Sequence, residues 1–349
     1  MPNLRLSVLD QSPIPDGSSA AQAFANTLEL ARLADQLGYA RYWLAEHHNT
    51  QGLAGSSPEV LIALVAAETK HIRVGSGGVM LSHYSPLKVA ESFRVLHALY
   101  PGRIDLGVGR APGSDQLTAV VLAQGRPQPI ERFGQQLSDL AGFLYDALPP
   151  EHPYHNVHAT PRSPGAPEMR LLGSGGDSAA YAAVLGFAFS YAHFINPNAA
   201  TESLSTYRQH FRALFELDAP RASVAVRVVC ADTAAEARRI ASSFALQRLR
   251  MEQGHLGRVP RVEEAQAYPY SAAELARVEA ILGQGFVGDP PQVKARLEHL
   301  AAALEIDELV VVTITHDPWA RRHSYELLAE AFGLQPAQDQ AQVACGTGG

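Results

Sequence analysis

The stretch IRVGSGGVMLSHYSP, residues 72–86, determines how the rest of the chain is interpreted. Strand-forming Ile, Val and Leu residues flank three glycines, and the polar turn Ser-His-Tyr-Ser follows. Glycine inside a strand marks a bulge or a place where another group must approach the backbone. Pro86 then suits the first turn of a helix. The stretch predicts a buried strand that ends either in the floor of a ligand site or in a bulge needed for sheet closure.

The same order of strand, polar or glycine-rich turn and helix recurs on both sides of this stretch. Besides the stretch itself, the predicted strands are residues 4–9, 39–45, 103–108, 169–172, 187–192, 223–230 and 308–315. Short loops between the strands and helices predict parallel strands connected by crossover helices. Eight such units favour an α/β fold of the (β/α)8 TIM-barrel type over an open sheet.

We interpret residues 1–334 as a single barrel domain with an insertion after strand seven, at about residues 253–290. Residues 253–270 are polar and rich in Gly, Pro and Arg, so they are predicted to form a long loop, and such loops usually serve as lids or binding loops. Two helices divided by residues 285–290 follow. The tail, residues 335–349, is rich in Gln, Ala and Gly and is predicted to be disordered.

Composition excludes several classes of protein. The 349 residues carry a formal net charge of −7 without a basic stripe, which argues against a nucleic-acid partner. No apolar run approaches the roughly 18 residues of a membrane span, and the start of the chain lacks the pattern of a signal peptide. The 2 cysteines suggest neither a disulfide framework nor a zinc site. We expect a cytoplasmic protein.

The unusual sequences fall where the predicted strands end. They are residues 10–13, 46–48, 77–83, 109–115, 173–178 and 193–196. In a (β/α)8 barrel the functional groups come from the carboxyl ends of the strands, on one face. This coincidence predicts a functional site on that face.

Residues 173–178, GSGGDS, form a glycine-rich turn between a strand and a helix. Such a turn directs free backbone N–H groups at a phosphate, helped by the helix dipole and by the hydroxyls of Ser174 and Ser178. Arg110, which follows the neighbouring fourth strand, would add a cationic fork. The alternative is a tight turn beside a surface arginine. A dinucleotide-binding fingerprint is rejected, because the glycines of residues 107–113 have the wrong spacing.

The run Glu46-His47-His48 follows the second strand and invites a metal-site interpretation. Neighbours in an extended segment point to opposite faces, so Glu46 and His48 share one side and His47 takes the other. A metal-dependent barrel hydrolase would also need ligands after the first strand, where the chain reads Leu-Asp-Gln-Ser, so we predict no metal. One histidine is expected to face the barrel mouth as an acid or base, and the other to bond a neighbouring loop.

Four of these segments together resemble one family. They are YWLAEHH (residues 42–48), VGSGGVMLSHYSP (74–86), GRIDLGVGRAPGSD (102–115) and LLGSGGDSAAYAAVLGF (171–187). They look like segments of the bacterial luciferase-like flavin-dependent oxidoreductases, and the resemblance runs in the same order from residue 4 to about residue 334. It implies a barrel that binds FMN on its C-terminal face, commonly as a homodimer.

The resemblance also implies an activity and roles for residues. Members use reduced FMN, often supplied by a separate NAD(P)H-dependent flavin reductase, together with O2 to oxidise a small organic substrate. His47 matches an acid–base histidine beside the flavin, and Gly77 and Gly78 match a pair whose peptide is cis and lies against the flavin ring. The positions that match the phosphate pocket are Arg110, Ser174, Gly175 and Ser178.

The chain departs from luciferase itself at two of these positions. Gly109 stands where luciferase has a cysteine, and Ser174 stands where it has an acidic residue. Light emission is therefore not implied, and the substrate stays open. Two alternatives also stay open on the same barrel, a deazaflavin-dependent dehydrogenase and a non-catalytic flavin-binding protein. Residues 253–270 are expected to cover the site and keep water out.

Overall fold

The computed structural model describes residues 4–125 and 130–336, and its centre is a closed barrel of eight parallel strands. The barrel strands are β1 (Arg5–Asp10), β2 (Arg41–Leu44), β3 (Arg73–Ser76), β4 (Ile104–Gly109), β5 (Glu168–Gly173), β6 (Ala188–Ala192), β7 (Ala222–Cys230) and β8 (Glu308–Val312). Strand β8 pairs with both β1 and β7, with Val311 opposite Val8 and Val310 opposite Ala225. This double pairing closes the sheet, so the predicted (β/α)8 fold is confirmed.

Helices surround the barrel and connect its strands. They are α1 (Ala20–Leu37), α2 (Pro58–Glu68), α3 (Pro86–Leu99), α4 (Gln116–Leu122), α5 (Phe133–Leu144), α6 (Gly176–Val184), α7 (Ala200–His210), α8 (Ala234–Glu252), α9 (Val262–Ala267), α10 (Ala272–Gly283), α11 (Pro290–Ala303) and α12 (Pro318–Phe332). Local sequence sets several ends. The Ser19 hydroxyl caps α1, Gly38 ends it at φ +86°, and Pro86 opens α3 as predicted.

The third strand is broken at its glycines, and the break shapes the C-terminal face. Strand β3 ends at Ser76, the Gly77–Gly78 peptide is cis as the resemblance implies, and Val79–Met80 forms a short strand against the end of β4. A 3-10 turn, Leu81–His83, then leads to α3. After the break, residues 79–80 therefore pair with the end of β4. The backbone of Gly77 and Gly78 lies at the mouth of the barrel.

The prediction for the insertion after β7 was wrong in one place and incomplete in another. Residues 253–270 are not one loop, because they contain α9, whose first turn carries the favourable acids Glu263 and Glu264. Residues 285–290 do more than divide two helices, because Phe286–Gly288 pairs with the last residues of β7. Both elements are short and depend on partners distant in sequence, which local patterns do not reveal.

Several boundaries also differ from the prediction. The second strand covers Arg41–Leu44 rather than residues 39–45, and the eighth strand ends at Val312 rather than at residue 315. Nearly all of the tail predicted to be disordered, residues 337–349, lies outside the described residues. Within the described ranges, no helix is both long and apolar enough to cross a membrane.

Candidate active site

A cavity of about 580 Å³ opens where the barrel strands end, and all seven predicted site residues line it. They are His47, Gly77, Gly78, Arg110, Ser174, Gly175 and Ser178. They come from the ends of β2, β3, β4 and β5 and from the first turn of α6. The structure therefore brings the predicted residues together, while their individual roles stay predictions. The volume lies in the range of cofactor and ligand pockets.

The floor of the cavity is the Gly77–Gly78 segment. A Cβ atom on Gly77 would lie 2.5 Å from Cδ1 of Leu9, and one on Gly78 would lie 2.8 Å from the carbonyl oxygen of Gly107. Both distances are shorter than van der Waals contact, so the packing behind the floor has no room for a side chain. The cavity consequently meets bare backbone here, a flat surface without side-chain protrusions.

The turn between β5 and α6 forms an open cradle at one end of the cavity. A Cβ atom on Gly173 would lie 2.3 Å from Cβ of Ser178, so the turn is closely packed at its base. At Gly175 and Gly176, by contrast, no described atom lies within 4 Å of an added Cβ. The first N–H groups of a helix have no partner within the helix, and here they adjoin open space. This combination is typical of an anion site.

Arg110 lies beside this cradle and forms an ion pair. Its Nη1 atom is 3.2 Å from Oδ2 of Asp177, the second residue of α6. The Arg110 side chain is 35% exposed and that of Asp177 is 73% exposed, so solvent screens the pair. The guanidinium can therefore exchange a carboxylate for another anion at small cost.

His47 presents the one imidazole of the cavity wall among the described residues. Its backbone N–H donates to the carbonyl oxygen of Gly55 at 2.8 Å, but Nδ1 is buried without a hydrogen-bond partner in the described structure. Burial, and secondarily the charge of His48, lower the pKa of His47 to about 4. The imidazole is neutral at pH 7 and can accept a proton from a group in the cavity.

Glu46 and His48 lie on the opposite side of this segment, as the alternation predicted. Nε2 of His48 is 2.8 Å from Oε1 of Glu46, which also accepts a bond of 2.7 Å from the Tyr84 hydroxyl. Oε2 of Glu46 accepts the backbone N–H of Met80 at 3.0 Å. Sequence reasoning missed this network, because residues 34 and 38 positions apart gave no sign of contact.

Sequence reasoning also missed much of the cavity wall. The further lining residues include Leu9, Gln11, Ala45, Met80, Leu172, Ser190, Ala192, Phe194, Ile195 and Ala225. Alternation along β6 could have identified Ser190 and Ala192 as inward-facing, since residues two apart share a face. Within the described parts of the chain, no group of three or more His, Cys, Asp or Glu side chains could hold a metal.

The segment expected to cover the site packs elsewhere. No residue of 253–270 is among those that line the cavity in the described structure. Instead, the backbone of Val259 bonds Ile14 and Asp16 of the loop after β1. The Arg258 guanidinium donates to the carbonyl oxygen of Ser18 at 2.8 Å. The insertion therefore supports the loop after β1, and Gly257 also packs against Gly52 of the loop after β2.

Comparison with known proteins decides the family. The model of the luciferase-like monooxygenase family matches residues 4–307. The chain belongs to this family. It is 39% identical over 327 residues to the luciferase-like monooxygenase of Escherichia coli strain K12, covering 93% of this chain and 96% of the relative. It is 38% identical over 329 residues to the N-acetyl-S-alkylcysteine monooxygenase of Bacillus subtilis, covering 94% and 98%.

Solved structures agree with this assignment. The crystal structure of apo-MsnO8 is 41% identical, has a TM-score of 0.88 and covers 96% of this chain and 100% of that one. The predicted enzyme class, a flavin-dependent monooxygenase, is thus confirmed. More distant structures share the fold alone. The FMN complex of the oxygenating constituent of 3,6-diketocamphane monooxygenase is 20% identical with a TM-score of 0.71, and covers 97% of this chain and 100% of that one. An F420-dependent secondary alcohol dehydrogenase is 13% identical, has a TM-score of 0.68 and covers 97% and 100%.

Proposed function

We propose that this protein is an FMN-dependent monooxygenase. It takes reduced FMN from a separate NAD(P)H-dependent flavin reductase in the cytoplasm and uses O2 to oxidise a small organic substrate. One observation carries the proposal. An open anion cradle, a bare backbone floor and a neutral buried imidazole converge on a single cavity at the barrel mouth. These are the features that a flavin phosphate, a planar ring and proton transfer each require.

The residues present fit FMN. The space at Gly175 and Gly176 admits phosphate oxygens to the backbone N–H groups of α6, and the hydroxyls of Ser174 and Ser178 are close by. Arg110 adds a charge-assisted contact. The flat floor at residues 77–78 suits an aromatic ring. Reduced FMN, when bound, would supply the electrons that activate oxygen.

The remaining residues act on protons and on water. His47 is neutral at pH 7, and its imidazole lines the cavity, where it can hold or deliver one proton. Leu9, Ala45, Phe194 and Ala225 form an apolar wall on the rest of the cavity. Such a wall excludes water and favours an uncharged organic substrate. Because one relative is named an N-acetyl-S-alkylcysteine monooxygenase, thioethers are the first class to screen.

Two alternatives share this site. The F420-dependent structural neighbour supports a dehydrogenase that transfers hydride from a reduced deazaflavin without oxygen. The other alternative is a protein that binds flavin without turnover. The experiment is an anaerobic titration with oxidised FMN, reduced FMN and reduced F420, followed by an air pulse and an oxygen electrode.

We expect reduced FMN to bind more tightly than oxidised FMN and oxygen uptake to rise when substrate is added. Tight binding of F420 alone would replace the proposal with the dehydrogenase. FMN binding without substrate-stimulated oxygen uptake, across a screen of thioethers and ketones, would leave the non-catalytic alternative.

The phosphate assignment predicts a difference between FMN and riboflavin. Arg110→Met should weaken FMN about 10- to 100-fold, since a hydrogen bond to a charged group contributes roughly 1.5–3 kcal/mol. Riboflavin lacks the phosphate and should bind the variant unchanged. Arg32→Met is the matched control, because Arg32 pairs with Glu68 on α2, outside the cavity. Equal weakening of both flavins by Arg110→Met would place the guanidinium elsewhere on the cofactor.

We also propose a homodimer that buries the outer faces of α2 and α3. Val60 and Leu64 on α2 are 65% and 43% exposed, and Val95 and Leu99 on α3 are 45% and 61% exposed. A neighbouring group of exposed apolar side chains is typical of an interaction surface. Leu99→Glu should lower the molar mass measured by light scattering to that of a monomer. A dimer that persists would exclude this face.

A further inference from the structure

The position of the His47 imidazole is not set by its own hydrogen bonds. Its Nδ1 atom lacks a partner in the described structure, although it is buried. A proton-transfer group must nevertheless be held within a few tenths of an ångström of its working position. The segments on either side of His47 must therefore hold the imidazole in position. Among the neighbouring side chains, Glu46 makes the most hydrogen bonds.

Glu46 ties the His47 segment to the cavity floor. It is fully buried, at 0% exposure, and its carboxylate receives three hydrogen bonds. The Met80 N–H bond joins it to the short strand that directly follows the Gly77–Gly78 floor. The Tyr84 hydroxyl joins it to the turn before α3. One carboxylate thus connects the end of β2 with the short strand after the Gly77–Gly78 floor and with the turn before α3.

The neighbours of Glu46 are equally constrained. The backbone N–H of His48 donates to the carbonyl oxygen of Gly113 at 2.9 Å, and a Cβ atom on Gly113 would lie 2.9 Å from the carbonyl oxygen of Glu46. The loop after β4 therefore closes over the segment from the other side. Only the imidazole of His47 is left to point into the cavity.

We propose that Glu46 is a positioning residue that fixes the His47 imidazole relative to the Gly77–Gly78 floor; this rests on the proposed function of His47. The carboxylate acts through its neighbour and does not touch the cavity, since it is not among the described residues that line it. A charged acceptor is suited to this task because charge-assisted hydrogen bonds are short and about twice as strong as neutral ones.

The test compares Glu46→Gln with Tyr84→Phe. Glu46→Gln keeps the size of the side chain, but its amide nitrogen cannot accept the bonds that the carboxylate oxygen accepted. Tyr84→Phe removes one hydrogen-bond donor and leaves the Glu46 carboxylate in place. It therefore tests the same network if Glu46→Gln fails to fold. Glu168→Gln and Tyr145→Phe are matched controls, because Glu168 accepts a bond from Arg170 and Tyr145 donates to the carbonyl oxygen of Pro167, away from the Glu46 network and from the cavity wall.

Two readouts are needed. The first is the NMR spectrum of ring-labelled histidine in the flavin-free protein, with the His47 signals assigned from His47→Gln. We expect Glu46→Gln to shift and broaden the His47 signals and Tyr84→Phe to shift them less, while both controls leave them in place. The second is steady-state kinetics, in which Glu46→Gln should lower kcat at least about tenfold and leave KM within about twofold.

The proposal would be overturned if Glu46→Gln folds and its His47 signals and kcat are unchanged. If Glu46→Gln does not fold, a Tyr84→Phe spectrum identical to that of the wild type would overturn it. The proposed function fails separately, namely if His47→Gln itself keeps full turnover. In that case the NMR comparison still reports whether Glu46 orders the imidazole, because it needs neither flavin nor substrate.

Discussion

The two ends of the barrel use buried polar groups in opposite ways. At the N-terminal end, Arg41 of β2 lies 2.7 Å from the Asp105 carboxylate of β4, 3.3 Å from Glu168 of β5 and 3.1 Å from Glu308 of β8. Because these strands are not all neighbours, the contacts cross the interior of the barrel. At the C-terminal end, a buried imidazole has no side-chain partner in the described structure, and two glycines face open space.

This difference indicates which end serves stability and which serves function. At the N-terminal end the buried charges are paired with one another, and Arg170 also lies 2.7 Å from Glu168, so in the described structure these side chains neutralise each other. The C-terminal end keeps donors and a proton acceptor unpaired, which lowers stability unless a ligand uses them. Substitutions at the two ends should accordingly separate activity from stability.

The largest effect is expected at the C-terminal end. His47→Gln should lower substrate-dependent oxygen uptake by about 10²- to 10⁴-fold, the usual contribution of a general acid or base. Binding of FMN should change less than about threefold, since His47 is not one of the phosphate contacts. The measurement is kcat by oxygen electrode beside a flavin titration of the same preparation. Full turnover in the variant would remove the proton-transfer role.

At the N-terminal end the same kind of replacement should act on stability alone. Asp105 is fully buried and accepts bonds from Arg41 and from the Trp43 indole at 2.9 Å, so Asp105→Asn removes one of the three carboxylates that surround the buried Arg41 guanidinium. We expect the free energy of unfolding to fall by about 3–5 kcal/mol. Glu68→Gln, which breaks an exposed pair with Arg32, should cost less than about 1 kcal/mol.

Denaturant unfolding measures both changes. Activity per folded molecule should stay at the wild-type level in Asp105→Asn, because no described contact joins Asp105 to the cavity. A large fall in kcat without a fall in stability would show that the ends of the barrel are not separate.

Local patterns in the sequence predicted the barrel, the glycine-rich turn with Ser174 and Ser178, and Arg110, whereas the roles of His47, Gly77, Gly78 and Gly175 followed from the family resemblance. Glycines and polar turns at strand ends are local features, and parallel topology gathers all those ends on one face. The network of Glu46 with Tyr84, and the pairing of Phe286–Gly288 with β7, depend on side chains and strands that meet only after folding. The six-residue helix α9 is too short to produce a clear periodic pattern. Contacts between distant segments are thus what the sequence could not supply.

The two ends also titrate in different pH ranges. The pKa of His47 is about 4, below the 6.5 of an unfolded histidine, so protons favour the unfolded state between those values. Its contribution to stability is complete above pH 6.5 and is lost as the pH falls to 4. The neighbouring arginines lower the pKa of Glu168 to about 2 despite its burial, so its contribution is lost only below about pH 4.5.

Between pH 6.5 and 4.5, His47 therefore loses its contribution to stability while Glu168 keeps its own. We expect the wild-type protein to lose up to about 3 kcal/mol relative to His47→Gln as the pH falls from 6.5 to 4. The measurement is denaturant unfolding of both proteins at half-unit steps of pH. Parallel stability curves would mean that His47 is protonated normally in the folded state, and that its site is wetter than the structure indicates.

The smallest effect is expected at the rim of the anion cradle, where the contrast between the ends is weakest. Asp177 pairs with Arg110 there, but both side chains are partly solvated. A bound phosphate would compete with this carboxylate for the guanidinium and be repelled by it. Asp177→Asn should therefore tighten FMN about two- to fivefold at low salt, with riboflavin unchanged. The gain should fade at about 0.5 M salt, because the Debye length then becomes short. Weaker FMN binding would instead mean that Asp177 orients Arg110 for the phosphate. This exposed pair would then hold a fixed geometry, like the buried ion pairs at the opposite end of the barrel.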